Sequence, residues 1–234
     1  SGADLTLDTL GICWGTQIEF RFMWWFRRSY DNSNFSLEGR SLSFRYSEKP
    51  AKQLLWYFLM RDMGLSEDRE IGIDAGCGHM ENKRWFRTKR YIGIDVDRER
   101  LAAAQAKHPD AETICAKLEE TSDVTGDFVL CVQVMNNRYF DVADTIAGTE
   151  ALIRMVRPGG VLIFNISKRA FSFEEDIFAL LKRSFDTIKI ERYGALSAPS
   201  TVFSPIIAGL MYLFPVLRKG RGYQKIYYVC QGRH

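Results

Sequence analysis

No apolar run in the 234-residue sequence reaches the roughly eighteen residues that a helix needs to cross a bilayer, so no helical membrane span is expected. Cysteines are few and scattered. Cys13, Cys77, Cys115, Cys131 and Cys230 stand singly, with no CxxC pair and few histidines nearby, which argues against a zinc site or a disulfide framework and for a reducing compartment. Strong charge of either sign is also missing. A net charge of +3 is too small to imply a nucleic-acid partner, and none is expected. Residues 193–234 are locally basic, carrying Arg218, Lys219, Arg221, Lys225 and Arg233 without an Asp or Glu. Repeats and low-complexity segments are absent. The chain begins Ser1-Gly2, which reads as a tag-cleavage remnant, and no charged-then-apolar leader follows, so a cytoplasmic location is expected.

What is present is the composition of an ordinary globular protein, long enough for one full-sized core. From residue 69 to 166, strand-like apolar runs alternate with helical patterns, as in βα units on a parallel sheet. The runs are Glu70 to Ala75, Tyr91 to Asp95, Glu112 to Ala116, Asp127 to Val132 and Val161 to Ile166. "DRERLAAAQAKHP" predicts a helix with Leu101, Ala102 and Ala104 on one side, Asp97 as N-cap and Pro109 beyond the end. "DVADTIAGTEALIRMV" predicts another, stacking Val142, Ile146, Leu152 and Val156, with "RPGG" as a helix stop and turn. A helix ("FSFEEDIFALLKRSF") and two strands ("DTIKIERYG", "YQKIYYVCQ") close the chain, the strands joined by the long insert Ala195 to Gly222. Upstream, "PAKQLLWYFLMRDMG" predicts an amphipathic helix ending at Gly64, and "IEFRFMWWFRRSY" an aromatic one.

The stretch "IGIDAGCGH" places Gly76 and Gly78 where an apolar strand ends in Asp74. In an open α/β sheet, ligands bind beyond the carboxyl ends of the strands, where strand order reverses. The two glycines permit a tight turn with amides close to a ligand. Asp95, ending the next strand in "YIGIDVD", is placed to accept hydrogen bonds from two ribose hydroxyls. The GxGxxG fingerprint that sets a pyrophosphate on a helix N-terminus is missing, because Met80 and Glu81 follow, and there is no Walker lysine. A cofactor with a ribose and no phosphate fits better.

With these motifs the sequence resembles the class I S-adenosylmethionine-dependent methyltransferases. The resemblance rests on "IDAGCGH", "IGIDVD", "GDFVLCVQVMNN" and "LIRMVRPGGVLIF", in that order. It implies an α/β Rossmann-like fold: a seven-stranded, mostly parallel sheet with helices on both faces and an antiparallel last strand. Residues 1–68 would form a helical cap, and 69–234 the catalytic domain with the insert 195–222. It implies S-adenosyl-L-methionine as cofactor, with Asp74, Gly76 and Gly78 along its methionine part and Asp95 on its ribose. Val96 would pack on adenine, and Gln133 and Val134 would sit beneath the sulfonium. Strand three ends near Ala116, Lys117 and Leu118 without the usual acidic or polar group, which leaves adenine to a backbone contact from Lys117 or Leu118. Arg40, Arg45 and Tyr46 lie where relatives fold groups over the cofactor, either arginine being able to pair its carboxylate; surface ion pairing is the plainer alternative.

Methyl transfer from a sulfonium depends chiefly on positioning, and a base assists when the acceptor is a hydroxyl. His79 offers itself as base, as a cofactor-carboxylate contact, or as a solvated loop residue. Asn136, Asn137, Tyr139 and Asp141 follow strand four; the asparagines orient the acceptor or cap the next helix. Lys168 and Arg169, after Ser167, hold an anionic group or lie in solvent. In "TVFSPIIAGLMYLFPVLRKGRG", Ser204 and Pro205 occupy N-cap and N1 positions of an apolar helix, residues 203–217, that must be buried somewhere. A lid, a dimer contact, a monotopic lipid contact and plain core packing are all open for it. The expectation is O-methylation of a small-molecule acceptor such as a sugar, a lipid-linked glycan or another metabolite, with peripheral membrane contact in view. The alternative is a non-catalytic module that docks a partner through its aromatic helices.

Overall fold

Ile71–Ala75 and Gly126–Cys131 are almost continuously apolar and buried along their length, as strands covered on both faces must be. In the computed structural model, which describes residues 49–121, 123–135, 142–167, 173–194, 203–220 and 222–234, they lie side by side at the centre of one sheet. The elements in chain order are α1 (Pro50–Asp62), β1 (Ile71–Ala75), β2 (Arg90–Asp95), α2 (Arg98–Lys107), β3 (Glu112–Cys115), β4 (Gly126–Cys131), α3 (Val142–Met155), β5 (Val156–Ser167), α4 (Glu174–Lys182), β6 (Phe185–Gly194), α5 (Ser204–Leu213) and β7 (Tyr223–Arg233).

The sheet order is β3-β2-β1-β4-β5-β7-β6. β1 pairs parallel with both β2 and β4, so the chain winds outward to β3, then returns across β1. That reversal opens a crevice at the carboxyl ends of β1 and β4. β7 enters between β5 and β6, antiparallel to both, as expected of the last strand.

Several local expectations are corrected. "RPGG" does not form a separate turn: α3 ends at Met155, and Val156 already pairs with Gly126. The register then shifts so that Phe128 faces Val161, and the extra residues bulge at Gly159, φ 73°. On α2, Asp97 caps as expected, accepting from the Arg100 amide at 3.1 Å, and Leu101 and Ala104 are buried, but Ala102 faces solvent. Only a single 3-10 turn, Lys83–Trp85, follows the glycine turn. Phe86 occupies the adjoining space, edge-on to Tyr91 at 4.9 Å and Phe128 at 5.4 Å, and a Cβ on Gly72 would lie 2.5 Å from its ring.

α1 covers the β6–β7 side. Phe58 is fully buried, stacked on Tyr227 at 5.3 Å and edge-on to Tyr193 at 5.6 Å, a burial that contributes roughly 2 to 3 kcal/mol. α5 packs on α1: the Tyr57 hydroxyl donates to the Pro205 carbonyl at 3.0 Å, and Tyr57 meets Tyr212 edge-on at 5.9 Å. Arg218, almost buried, secures the far end of the insert. Its guanidinium donates to the Met211 and Tyr212 carbonyls and pairs with Glu191, which also receives Arg61 at 2.7 Å. The helix begins one residue earlier in register than expected, with Phe203 as N-cap and Ser204 as its buried first residue, because Ser204 turns inward and caps nothing. Nor is this helix buried all round. Ser204, Ala208 and Met211 face α1, whereas Ile206, Leu210 and Leu213 are exposed at 60%, 45% and 55%.

Candidate functional site

At the end of β1 the chain reverses on two left-handed glycines, Gly76 (φ 77°) and Gly78 (φ 53°). The turn is pinned to β2, since the amides of Gly76 and Cys77 donate to the Ile94 carbonyl at 2.7 and 2.9 Å. A Cβ on Gly76 would lie 2.2 Å from Val134 Cγ2, so glycine is required there by contact as well as by conformation. Gly78 differs: a Cβ there meets no atom within 4 Å, so this face of the turn looks into open space. Met80, two residues on, also adopts positive φ (55°) and is buried.

Asp95 faces the same space from the end of β2. One carboxylate oxygen accepts the Gly78 amide at 2.8 Å, the other the Asp97 amide at 3.0 Å. Each oxygen retains a further acceptor site for a ligand. Beside it, Val96 is 64% exposed, an apolar surface at the rim. Lys117 is exposed, and its amide donates to Glu120 Oε2 at 3.1 Å; Leu118 is buried.

Asp74 sits differently from Asp95. It is 1% exposed and accepts from the Tyr91 hydroxyl at 2.9 Å and Asn82 Nδ2 at 3.3 Å. Burial, only partly offset by those two bonds and reinforced by the charge of Asp95, raises its carboxyl to about 7. It braces the floor of the turn through Tyr91.

Across the crevice, Gln133 leaves β4 in a left-handed conformation (φ 63°). Its amide donates to Asn165 Oδ1 on β5 at 2.8 Å, and its side-chain carbonyl accepts from Lys225 Nζ on β7 at 2.5 Å. Val134 follows and rests on Gly76. The fold thus brings together Gly76, Gly78, Asp95, Val96, Gln133 and Val134 at one strand-end crevice, with His79 exposed on the outer part of the turn. Asn136, Asn137, Tyr139, Asp141, Lys168, Arg169, Arg40, Arg45 and Tyr46 lie outside the described residues, as does the aromatic segment before residue 49. Asn165 and Lys225 escaped the sequence reading. The signal for Lys225 is slight: an ionisable residue just before the apolar run Ile226 to Cys230.

No group of His, Cys, Asp and Glu among the described residues could hold a metal ion. Cys77, Cys131 and Cys230 are buried, and burial raises each thiol well above its ordinary range, so none is a ready nucleophile. The arrangement suits binding a nucleoside between the glycine turn and Asp95, with its far end toward Gln133.

Residues 73–164 match the family described as Methyltransferase domain. No curated protein matches the chain. Among solved structures, the N-methyltransferase NodS from Bradyrhizobium japonicum WM9, in complex with S-adenosyl-L-homocysteine, is 14% identical, with a TM-score of 0.56 over 81% of this chain and 91% of that one. An S-adenosylmethionine-dependent methyltransferase from Mesorhizobium loti is 14% identical, with a TM-score of 0.53 over 77% of this chain and 98% of that one. The plantazolicin methyltransferase BpumL, in complex with S-adenosylhomocysteine, is 15% identical, with a TM-score of 0.50 over 93% of this chain and 99% of that one. At such identities these likenesses carry the fold. The match to the Methyltransferase domain family spans the glycine turn, Asp95, Gln133 and most of β5, so the crevice described above lies within the matched residues.

Proposed function

We propose that this methyltransferase transfers the methyl group of S-adenosyl-L-methionine to an oxygen of a small-molecule acceptor: a sugar, a lipid-linked glycan or another metabolite. The observation that carries the cofactor reading is the shared position of Asp95 and Gly78. A carboxylate with spare acceptor capacity faces a glycine whose missing side chain leaves space for a ligand. Asp95 takes the ribose hydroxyls, the exposed Val96 takes one face of adenine, and the turn at Gly76 and Gly78 carries the methionine part toward Gln133. Displacement at a sulfonium needs little beyond alignment of the acceptor, which suits a crevice without a metal group or a reactive thiol among its described residues.

A small acceptor is supported by what stands on the acceptor side. α1 and the apolar α5 cover that part of the sheet, and Arg218 of the insert is committed to Glu191. The outward stripe of Ile206, Leu210 and Leu213, continued by Phe214 and Val216, supports a hydrophobic or lipid-linked acceptor met at a membrane surface. No helix among the described residues is long and apolar enough to cross a membrane, so contact would be peripheral.

The test is calorimetric binding of S-adenosylhomocysteine to the wild type and to Asp95→Ala, followed by label transfer from methyl-labelled S-adenosylmethionine to a panel of hydroxylated and amine acceptors. Binding by the wild type and its loss in Asp95→Ala support the cofactor reading. Failure of the wild type to bind at millimolar ligand favours the non-catalytic module. Label found only on amines overturns oxygen as the acceptor atom.

A further inference from the structure

Lys225 lies at the start of β7, opposite Ser167 of β5 and Tyr193 of β6. Because β7 runs antiparallel to β5, its first residues stand at the carboxyl end of the parallel strands, level with the glycine turn. Lys225 Nζ donates to Gln133 Oε1 at 2.5 Å. Gln133 is held in turn by Asn165, and its neighbour Val134 touches Gly76. The ammonium group is therefore joined to the glycine turn through two consecutive residues of the loop after β4.

The partner of Lys225 is a neutral amide, and the charges around it are unusual for a lysine. Lys225 shares a sheet face with Tyr227, two residues on, which stacks on Phe58 of α1. From α1 the charged group facing it is another cation, Lys52. From β6 it is opposed by Tyr193, whose phenol burial keeps in the neutral form, and from β5 by the hydroxyl of Ser167. The carboxylates on that face, Asp62 and Glu191, are already engaged by Arg61, and Glu191 by Arg218 as well. Among the described residues, the Gln133 carbonyl is the group that accepts from the ammonium, and both carboxylates on this face are committed to arginines.

We propose, resting on the methyltransferase reading above, that Lys225 is the base that takes the acceptor's proton during methyl transfer, held in place by Gln133. Burial, and then the positive charge of Lys52, lower its ammonium to about 8, so the amine form is accessible near neutrality. A neutral amine can still donate one hydrogen to Gln133 while its lone pair is free for the acceptor. Arrival of the donor deepens this effect, because the sulfonium adds a third positive charge to the same region. In the reaction, the acceptor oxygen's lone pair forms the new O–C bond as the C–S bond breaks. The C–S electron pair remains on sulfur, giving a neutral thioether, and the acceptor proton passes to Lys225 Nζ. The positive charge thus leaves the sulfur and reappears on the lysine, with atoms and electrons balanced.

The test uses the charge difference between donor and product and needs no knowledge of the acceptor. S-adenosylmethionine and S-adenosylhomocysteine are each titrated into the intact protein near pH 8, where ordinary histidines are already neutral, in buffers of different ionisation enthalpy. With Lys225 about half protonated there, the sulfonium ligand should release up to roughly half a proton and the thioether ligand much less. Lys225→Met, and Lys225→Arg as the variant that keeps both charge and hydrogen bond, should bind both ligands with the difference gone. Equal proton release by the two ligands in the wild type overturns the proposal, and so does a difference that survives in either variant. Failure of the wild type to bind either ligand would instead bring down the methyltransferase reading on which the proposal rests.

Discussion

Asp95 accepts the amide hydrogen of Gly78 at 2.8 Å, tying the end of the second strand to the turn that follows the first. The same carboxylate that faces the ligand space also fixes the turn lining that space. Asp95→Asn keeps the size of the side chain but loses the charge and one acceptor oxygen. We expect S-adenosylhomocysteine affinity to fall at least about tenfold, equivalent to about 1.4 kcal/mol, beside a loss of stability of about 1 kcal/mol from the amide left without its acceptor. Calorimetry beside a thermal melt separates the two effects, and unaltered affinity would remove Asp95 from the site.

The two glycines of the turn should respond unequally to alanine. At Gly76 the new methyl meets Val134 at 2.2 Å on top of a left-handed backbone, which predicts a loss of about 2 to 4 kcal/mol. At Gly78 the methyl meets nothing within 4 Å, so only the backbone term of about 1 kcal/mol applies. Gly78→Ala should therefore stay folded yet bind the cofactor poorly, because its methyl enters the ligand's space. Urea unfolding of both variants checks the order, and a reversed order would contradict the geometry.

Asp74 links stability to pH. Its carboxyl is raised to about 7 when folded, above its unfolded value, so folding favours the protonated form. Its stabilising effect is complete below the unfolded value and is lost as pH rises from there through about 7. Asp74→Asn removes this dependence. It should gain stability over the wild type near pH 8, by about 2 to 4 kcal/mol at most, with the gain shrinking steadily to little near pH 3. Melting temperatures across that range provide the measurement; a gain that is the same at both ends would count against a titrating Asp74.

Glu191 carries the opposite sign. Burial opposes its ionisation, but Arg61, with Arg218 and Lys189, outweighs burial and holds the carboxyl below its ordinary value. The stability it supplies is present above the unfolded value and is lost as pH falls through the folded one. Glu191→Gln leaves the nearly buried Arg218 without a carboxylate, while Arg61 keeps Asp62, and should cost about 3 to 5 kcal/mol in urea unfolding. A cost below about 1 kcal/mol would mean that α5 is held to α1 without help from this ion-pair cluster.

The outward stripe of α5 can be altered without touching its packing. Replacing Ile206, Leu210 and Leu213 together by serine removes exposed apolar surface while leaving Ser204, Ala208 and Met211 against α1. Melting temperature should hardly move, since these side chains bury little area. Flotation with anionic vesicles should fall severalfold if the stripe meets lipid, and undiminished flotation would exclude it as the contact.

The sequence by itself determined the order of the βα units, the glycine turn and the carboxylate ending β2, because these depend on local chemistry: a β-forming run, a left-handed turn that only small side chains tolerate, and fixed spacing along the chain. It also determined that the last strand would run antiparallel, through the family pattern in which a strand pair ends the sheet. What only the tertiary structure decided are relationships between residues far apart in the chain. Gln133 and Lys225 meet because β7 inserts beside β5, and nothing in "YQKIYYVCQ" marks its lysine as belonging to the crevice. Asp74 reads in the sequence as a twin of Asp95, yet Tyr91 and Asn82 enclose it while Asp95 stays open. The apolar insert shows the same limit. Composition required it to cover something, but its contact with α1 chose which side chains are buried, and that choice left Ile206, Leu210 and Leu213 outside. Burial and electrostatic environment are sums over neighbours brought together by folding, so the same residue type acquires different chemistry at each position.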